Sequence, residues 1–318
     1  MPTFFANKQR TLQGHRDCVY TLVQEDEHRF FSAGGDGLIV RWDLKNTDQG
    51  TVIAKVPASV YAMYYDSVNN RLVIGQNYEG LRVIDLNNGR EEGVVRISKA
   101  ALFDVVRIEN QLLVATAEGE IVVVAYDTLR IIHRFRAAKQ RARSIAVNVP
   151  KKEMAIGFSD HTVRIYDTTN YQLKQTLTDH NNSVFVVRYT PDQRYLVSGG
   201  RDAHLRIWDV KKNYQLTKSI VAHMYAINHL DFSPDGQYFA TGSMDKSVKI
   251  WDAHAFKLLK VIDKARHAGH GTSVNRVLWM KDDSETLLSA SDDRTISVWH
   301  WGEADDASAK MNKSNRSL

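Results

Sequence analysis

His15, Ser32 and Asp36 are the parts from which a serine hydrolase is built: a base, a hydroxyl nucleophile and a carboxylate to orient the imidazole. The same spacing returns as His180, Ser198 and Asp202, then as His223, Thr241 and Asp245, and again as His270, Ser289 and Asp293. In each set the hydroxyl residue lies four positions before the Asp, and a Trp follows the Asp by six: Trp42, Trp208, Trp251 and Trp299. A catalytic triad occurs once, faces a pocket and has an oxyanion hole beside it. Four copies in register describe a repeated structural device, so the chain is expected not to be an enzyme. Other chemistry-bearing motifs are absent: there is no GxxxxGK[ST], no GxSxG and no HExxH. His267 and His270 sit three apart, but no Cys is near them and His270 belongs to the repeat, so no metal and no cofactor are expected. Cys18 is the one cysteine; without a sequence-adjacent base it reads as an inert small residue.

The elements that position these residues recur with the same period. An aromatic-Asp dipeptide or a relative of it returns as Trp42-Asp43, Ile84-Asp85, Tyr126-Asp127, Tyr166-Asp167, Trp208-Asp209, Trp251-Asp252 and Trp299-His300, at steps of 42, 42, 40, 42, 43 and 48. Gly14-His15, Asp179-His180, Ala222-His223 and Gly269-His270 keep step, each His preceding a Trp by 27 to 29 residues. Between landmarks, a segment such as 183–209 (SVFVVRYTPDQRYLVSGGRDAHLRIWD) reads as strand, Pro-Asp turn, strand, tight turn at Asp202 and strand. A period of about 40–45 residues with Trp-Asp at its end is the mark of one four-stranded propeller blade.

On these residues the chain resembles the WD40-repeat (β-transducin-like) family over nearly its whole length, strongly in repeats one, five, six and seven and weakly in two and three. The resemblance implies an all-β fold: a seven-bladed β-propeller of four-stranded antiparallel blades. Residues 7–15 (NKQRTLQGH) echo 173–180 (LKQTLTDH), so an outermost strand near Phe4–Leu12 is expected to open the chain. The ring would close by pairing that strand with the three C-terminal strands, which removes two sheet edges. Residues 1–303 are expected to form this single propeller, and 304–318 a flexible polar tail. In the family the Asp accepts from the His ring, the His bonds the hydroxyl, and the hydroxyl meets the Trp indole. Repeat four keeps Asp160 but has Ile156 in the hydroxyl position, and repeats two and three have no His in the loop.

Composition is that of an ordinary globular chain: 318 residues, 43% hydrophobic and 25% charged. One cysteine excludes an internal disulfide, and neither a leader-like start nor an apolar run of about 18 residues is found, so a cytoplasmic protein away from membranes is expected. The net charge of +5 (42 basic against 37 acidic residues) permits acidic partners without singling out nucleic acid.

A binding site is expected where the resemblance places the loops leading into the blades, around the mouth of the central channel. After the first apolar residue of the inner strand come Tyr20, Tyr61, Phe103, Phe185, Asn228 and Asn275. Such aromatics either pack against the next blade or anchor a partner on the rim. Residues 134–143 (RFRAAKQRAR) carry Arg134, Arg136, Lys139, Arg141 and Arg143 in the connection into blade four, and Arg201 precedes Asp202 on the next blade. This sector is either solvated loop or a receptor for an acidic or phosphorylated protein segment. The leading expectation is a monomeric interaction scaffold using Tyr20, Tyr61, Phe103, Arg141, Arg143, Phe185 and Arg201. A subunit of a nucleic-acid-associated complex is the alternative, and a propeller enzyme the third reading.

Overall fold

In the computed structural model, which describes residues 3–46, 49–281 and 283–304, twenty-eight strands form seven four-stranded antiparallel sheets. Blades one to six are consecutive in sequence, at residues 19–55, 60–96, 102–136, 142–177, 184–221 and 227–262. The seventh combines Val274–Trp279, Thr286–Ser291 and Thr295–Ala304 with the N-terminal strand Thr3–Gln13. That strand pairs from Thr3 opposite Ala304 to Gln13 opposite Thr295, and Phe4 stacks on Trp301 at 4.9 Å. The seven-bladed, end-to-end closed fold is therefore present. One boundary shifts: Ala304, expected in the tail, is the last paired residue of the closing strand, while 305–318 lie outside the described residues.

Each blade buries both faces against its neighbours, which explains the unalternating apolar second strands. Arg71–Gln76, Gln111–Thr116 and Thr286–Ser291 are each buried over their last five residues. Seven apolar clusters result, and each joins two adjacent blades; one packs Leu12, Val19, Leu22 and Trp42 against Met280, Leu288 and Val298 across the seventh and first blades. The fourth strands are exposed, as in Arg130–Arg136, where only Phe135 is partly covered. A small residue in each second strand lets the next blade approach: Ala33, Gly75, Ala115, Gly157, Gly199, Gly242 and Ala290 follow one another in register. A Cβ at Gly242 would come within 2.8 Å of Val274, and one at Gly157 within 2.9 Å of Val184.

Removing residues 1–13 strips the fourth strand from the seventh blade and bares the Thr295–Ala304 edge together with Trp301. The truncated chain is expected to self-associate on size-exclusion chromatography and to lose its cooperative melt. A monomer with the parent Tm would contradict this account of closure.

Candidate functional site

The His–hydroxyl–Trp–Asp sets assemble in four blades. Ser32 Oγ accepts from Trp42 Nε1 at 2.7 Å and lies 2.7 Å from His15 Nε2, while His15 Nδ1 is 3.0 Å from Asp36. In blade five the same distances are 2.9, 2.8 and 3.0 Å for Trp208–Ser198, Ser198–His180 and His180–Asp202. Blade six gives 3.0, 2.7 and 2.8 Å for Trp251–Thr241, Thr241–His223 and His223–Asp245. Blade seven gives 2.8, 2.8 and 2.9 Å for Trp299–Ser289, Ser289–His270 and His270–Asp293. Each Asp also accepts the backbone N–H that follows its His, from Arg16, Asn181, Met224 and Gly271. The chain of bonds thus ties the loop leading into a blade to the turn between its second and third strands.

Ser32, Ser198, Thr241 and Ser289 are all fully buried, so no substrate reaches these hydroxyls. Burial holds His180 and His223 below the usual histidine range. Asp202, Asp245 and Asp293 are held well below the ordinary carboxylate range despite desolvation, because each carries the bond and charge of its histidine and a backbone N–H or hydroxyl.

Blades two, three and four carry Ile74, Val114 and Ile156 at the hydroxyl register, all fully buried, so no polar group is stranded there. In blade four Asp160 pairs instead with Arg164 at 2.6 Å, and Tyr166 Oη donates to Ala137 O at 3.2 Å. The third dipeptide needs correction. Leu112 opposes Val124 just as Phe30 opposes Trp42, so Val124-Ala125 occupies the dipeptide position and Tyr126-Asp127 lies two residues beyond. Tyr126 leaves the strand to donate to Asp66 at 2.7 Å beneath the Arg107 guanidinium.

At the channel mouth every inner strand breaks register after its first residue, and the extra residue is Tyr20, Tyr61, Phe103, Arg143, Phe185, Asn228 or Asn275 in blades one to seven. All seven line one cavity of about 540 Å³, together with Tyr78, Arg141 and residues below. Five of them form an unbroken arc. Tyr20 meets Tyr61 at 4.6 Å, Tyr61 meets Phe103 at 5.7 Å, and Arg143 lies 4.3 Å from the Phe103 ring and 5.0 Å from Phe185. Asn275 and Asn228 complete the ring and are held by the backbone, Asn275 Nδ2 donating to Val19 O and Asn228 Nδ2 to Val274 O.

Arginines gather in one sector of this ring. Arg143 donates from Nε to Ser159 Oγ at 3.0 Å, and burial plus the charges of Arg141 and Arg201 lower it to about 10. Among the described residues Arg141, Arg143 and Arg201 make no ion pair; Arg141 and Arg201 are exposed. The structure therefore brings together all seven residues expected at the partner site, six of them along the cavity and Arg201 beside it. It corrects the extent of the basic loop. Arg134 and Arg136 belong to the outer strand Arg130–Arg136 of blade three, and Arg134 is paired with Glu120 at 2.9 Å.

Sequence reasoning missed that Arg143 is the seventh member of this register, because it counted Arg143 with the basic connection into blade four. It also missed the cavity floor of Asp104, Ser144, His229 and Arg276, each one residue beyond a bulge. Cys18 donates to Asp292 O at 3.7 Å, and burial pushes its thiol up to about 11, leaving little thiolate at neutral pH. His267, in the short helix Lys264–His267, lies 3.8 Å from Asp263, and His270 is committed to its network.

A closed ring of seven four-stranded blades, four of them knit by a buried Trp–hydroxyl–His–Asp chain, defines a propeller of the WD40 class. The model for "WD domain, G-beta repeat" matches residues 6–43, 171–209, 214–252 and 261–300, the four segments that hold the complete networks. This chain is a WD40-repeat β-propeller. It is 25% identical over 211 residues to the 66 kDa stress protein of Physarum polycephalum and 26% identical over 213 residues to Actin-interacting protein 1 of Drosophila melanogaster. Those alignments cover 63% and 62% of this chain but only 33% and 32% of the relatives, so the chain spans about a third of their length. A WD repeat-containing protein WDS homolog of Arabidopsis thaliana is 25% identical over 93% of this chain and 49% of its own. The crystal structure of the WD40 propeller domain of Doa1 superposes with a TM-score of 0.82 at 16% identity, covering 94% of this chain and 97% of that one.

Ser198→Ala would leave the Trp208 indole N–H and His180 Nε2 unpaired in the core and is expected to cost about 1–3 kcal/mol in a denaturant melt. Val114→Ala in blade three removes no polar partner and tests packing alone, so its loss should be independent of pH. For the parent protein, the sign of the pH dependence follows from the depressed values. His180 and His223 take up protons in the unfolded chain near 6.5 and only at lower pH in the fold, so stability is expected to fall as pH drops below that value. It should fall again below about 3.8, where unfolded carboxylates protonate before Asp202, Asp245 and Asp293 do. A Tm that stays level between about pH 8 and pH 3 would contradict the network's protonation states.

Proposed function

We propose that this propeller is a non-enzymatic interaction scaffold whose channel-mouth face docks a protein segment bearing acidic or phosphorylated positions beside apolar ones. The observation that carries the reading is the juxtaposition of Arg141 and Arg143, and of Arg201 beside them, none in an ion pair among the described residues, with the Tyr20–Tyr61–Phe103 arc and Phe185 on one cavity. Guanidinium groups pair bidentately with carboxylates and phosphates, and aromatic rings supply rigid contact area, so a segment of mixed character would engage both halves. Arg143 is already desolvated and held between two rings, which lowers the ordering cost of using it. The relatives support an adaptor role only by name: one is called actin-interacting, another a serine-threonine kinase receptor-associated protein.

The fold satisfies its own edges in one copy, which fits a monomer, and a cytoplasmic setting accompanies this reading. No helix among the described residues is long and apolar enough to cross a membrane. The basic sector is too short for a groove that tracks a nucleic-acid backbone once Arg134 and Arg136 are assigned to an outer strand, and this favours a protein segment over nucleic acid.

The test is affinity capture from the native cell with the parent chain and with an Arg141→Glu, Arg201→Glu, Phe185→Ala variant. Both exposed arginines lie outside the packed core, so the variant should melt within about 1–2 kcal/mol of the parent. Loss of the main captured protein is expected, with nuclease treatment leaving parental capture intact. Undiminished capture by the variant would overturn the site, and capture abolished by nuclease would move the assignment to nucleic acid.

A further inference from the structure

Beneath the aromatic arc, Asp104, Ser144, His229 and Arg276 line the floor of the cavity. Each follows a bulge residue by one position, so four different blades present them at one level of the channel. Arg276 Nε is buried and has no hydrogen-bond partner, and among the described residues the Arg276 guanidinium makes no ion pair. The single carboxylate that lines the cavity is already committed: Asp104 accepts from Val105 N at 3.0 Å and Ile145 N at 2.8 Å. Asp231, the other carboxylate whose charge reaches Arg276, accepts from Trp279 N at 2.8 Å. Arg188 donates to Ser144 Oγ at 3.2 Å and to Val187 O at 2.9 Å, and its Nη2 lies 3.1 Å from His229 Nε2.

A half-buried guanidinium with an unpaired buried Nε–H and no bonded counter-charge costs stability. Burial and the charge of Arg188 lower Arg276 to about 10, the signature of a cation held in an unfavourable place. Nothing in the blade needs an arginine there, since the aligned residues of other blades are Thr21, Ala62 and Val186. Such a group is retained where a ligand completes it.

We propose that Arg276 is an oxyanion receptor within the channel mouth, taking the carboxylate or phosphate at the tip of one side chain of the docked segment. The cavity of about 540 Å³ has room for a ring-sized group. Its Tyr20, Tyr61 and Phe103 wall favours a flat apolar stem above the anion, so an aryl phosphate or an aryl-acetate fits better than a bare ion. The proposal rests on the docking reading above and deepens it: the rim arginines catch the segment, and Arg276 reads one side chain.

The experiment titrates the full chain with phenyl phosphate, phenylacetate and, as the opposite charge, benzyltrimethylammonium, by calorimetry at low salt. At least one anion should bind saturably, the cation should not, and Arg276→Leu should weaken the anion at least tenfold with partial recovery in Arg276→Lys. The Tm of Arg276→Leu should equal or exceed that of the parent, because an unpaired charge has been removed. The preferred anion tells whether phosphate or carboxylate is the chemistry read. Absence of anion binding, equal binding by Arg276→Leu, preference for the cation, or a lower Tm in Arg276→Leu would each overturn the proposal. The two readings fail separately. Partner capture lost in the rim variant but kept in Arg276→Leu retains the docking face and removes the floor site. Anion binding lost in Arg276→Leu, with capture indifferent to the rim, leaves a small-anion site and removes the docking face.

Discussion

Everything in this molecule depends on closing the ring. The strand Thr3–Gln13 lies against Thr295–Ala304, and this contact converts seven two-sided sheets, none able to bury both faces alone, into a circle of seven shared cores. Because each core belongs to two blades, a blade cannot shift without disturbing its neighbours. The central channel is therefore a rigid space, and side chains carried by residues as distant as 104 and 276 are held at one level of it. The mouth owes its form to the same constraint. Small residues in the second strands draw the blades together, and a bulge in each inner strand turns one side chain toward the opening.

The buried Trp–hydroxyl–His–Asp chain adds a second layer of order, but not around the whole ring. Blades one, five, six and seven fasten their loops to their turns with it, whereas blades two to four fill the hydroxyl register with Ile74, Val114 and Ile156. Those three blades supply Tyr61, Phe103 and Arg143, the middle of the arc at the mouth. The polar network and the aromatic-arginine sector thus divide the ring between them. Blade four shows how a blade manages without the network: Arg164, itself paired with Asp160, and Tyr166 both donate to Ala137 O.

Legibility in the sequence followed the physics of each part. The network was legible because a satisfied chain of four polar groups tolerates few residue types, and its members therefore recur at fixed spacing. The third blade was read two residues late because Val124 replaces the Trp and the nearby Tyr126-Asp127 imitates the dipeptide. Arg134 and Arg136 read as loop because an outermost strand is exposed and carries the charged composition of one. At the mouth, the register of the inner strands found six of the seven bulge residues and left Arg143 in the loop. The floor was invisible for a different reason. His229 and Arg276 gain their meaning only from the circle, which no local pattern encodes.

The central claim is that partners meet this propeller at the channel mouth and not along its outer edge. A photo-reactive residue placed at Tyr78, exposed on the cavity's rim, or at Ile132, exposed on the outer strand of blade three, reads this directly in the native cell. The account predicts a discrete cross-linked adduct from position 78 that disappears when Arg141 and Arg201 are reversed in charge, and none from position 132. An adduct from position 132 alone, indifferent to those arginines, would contradict it.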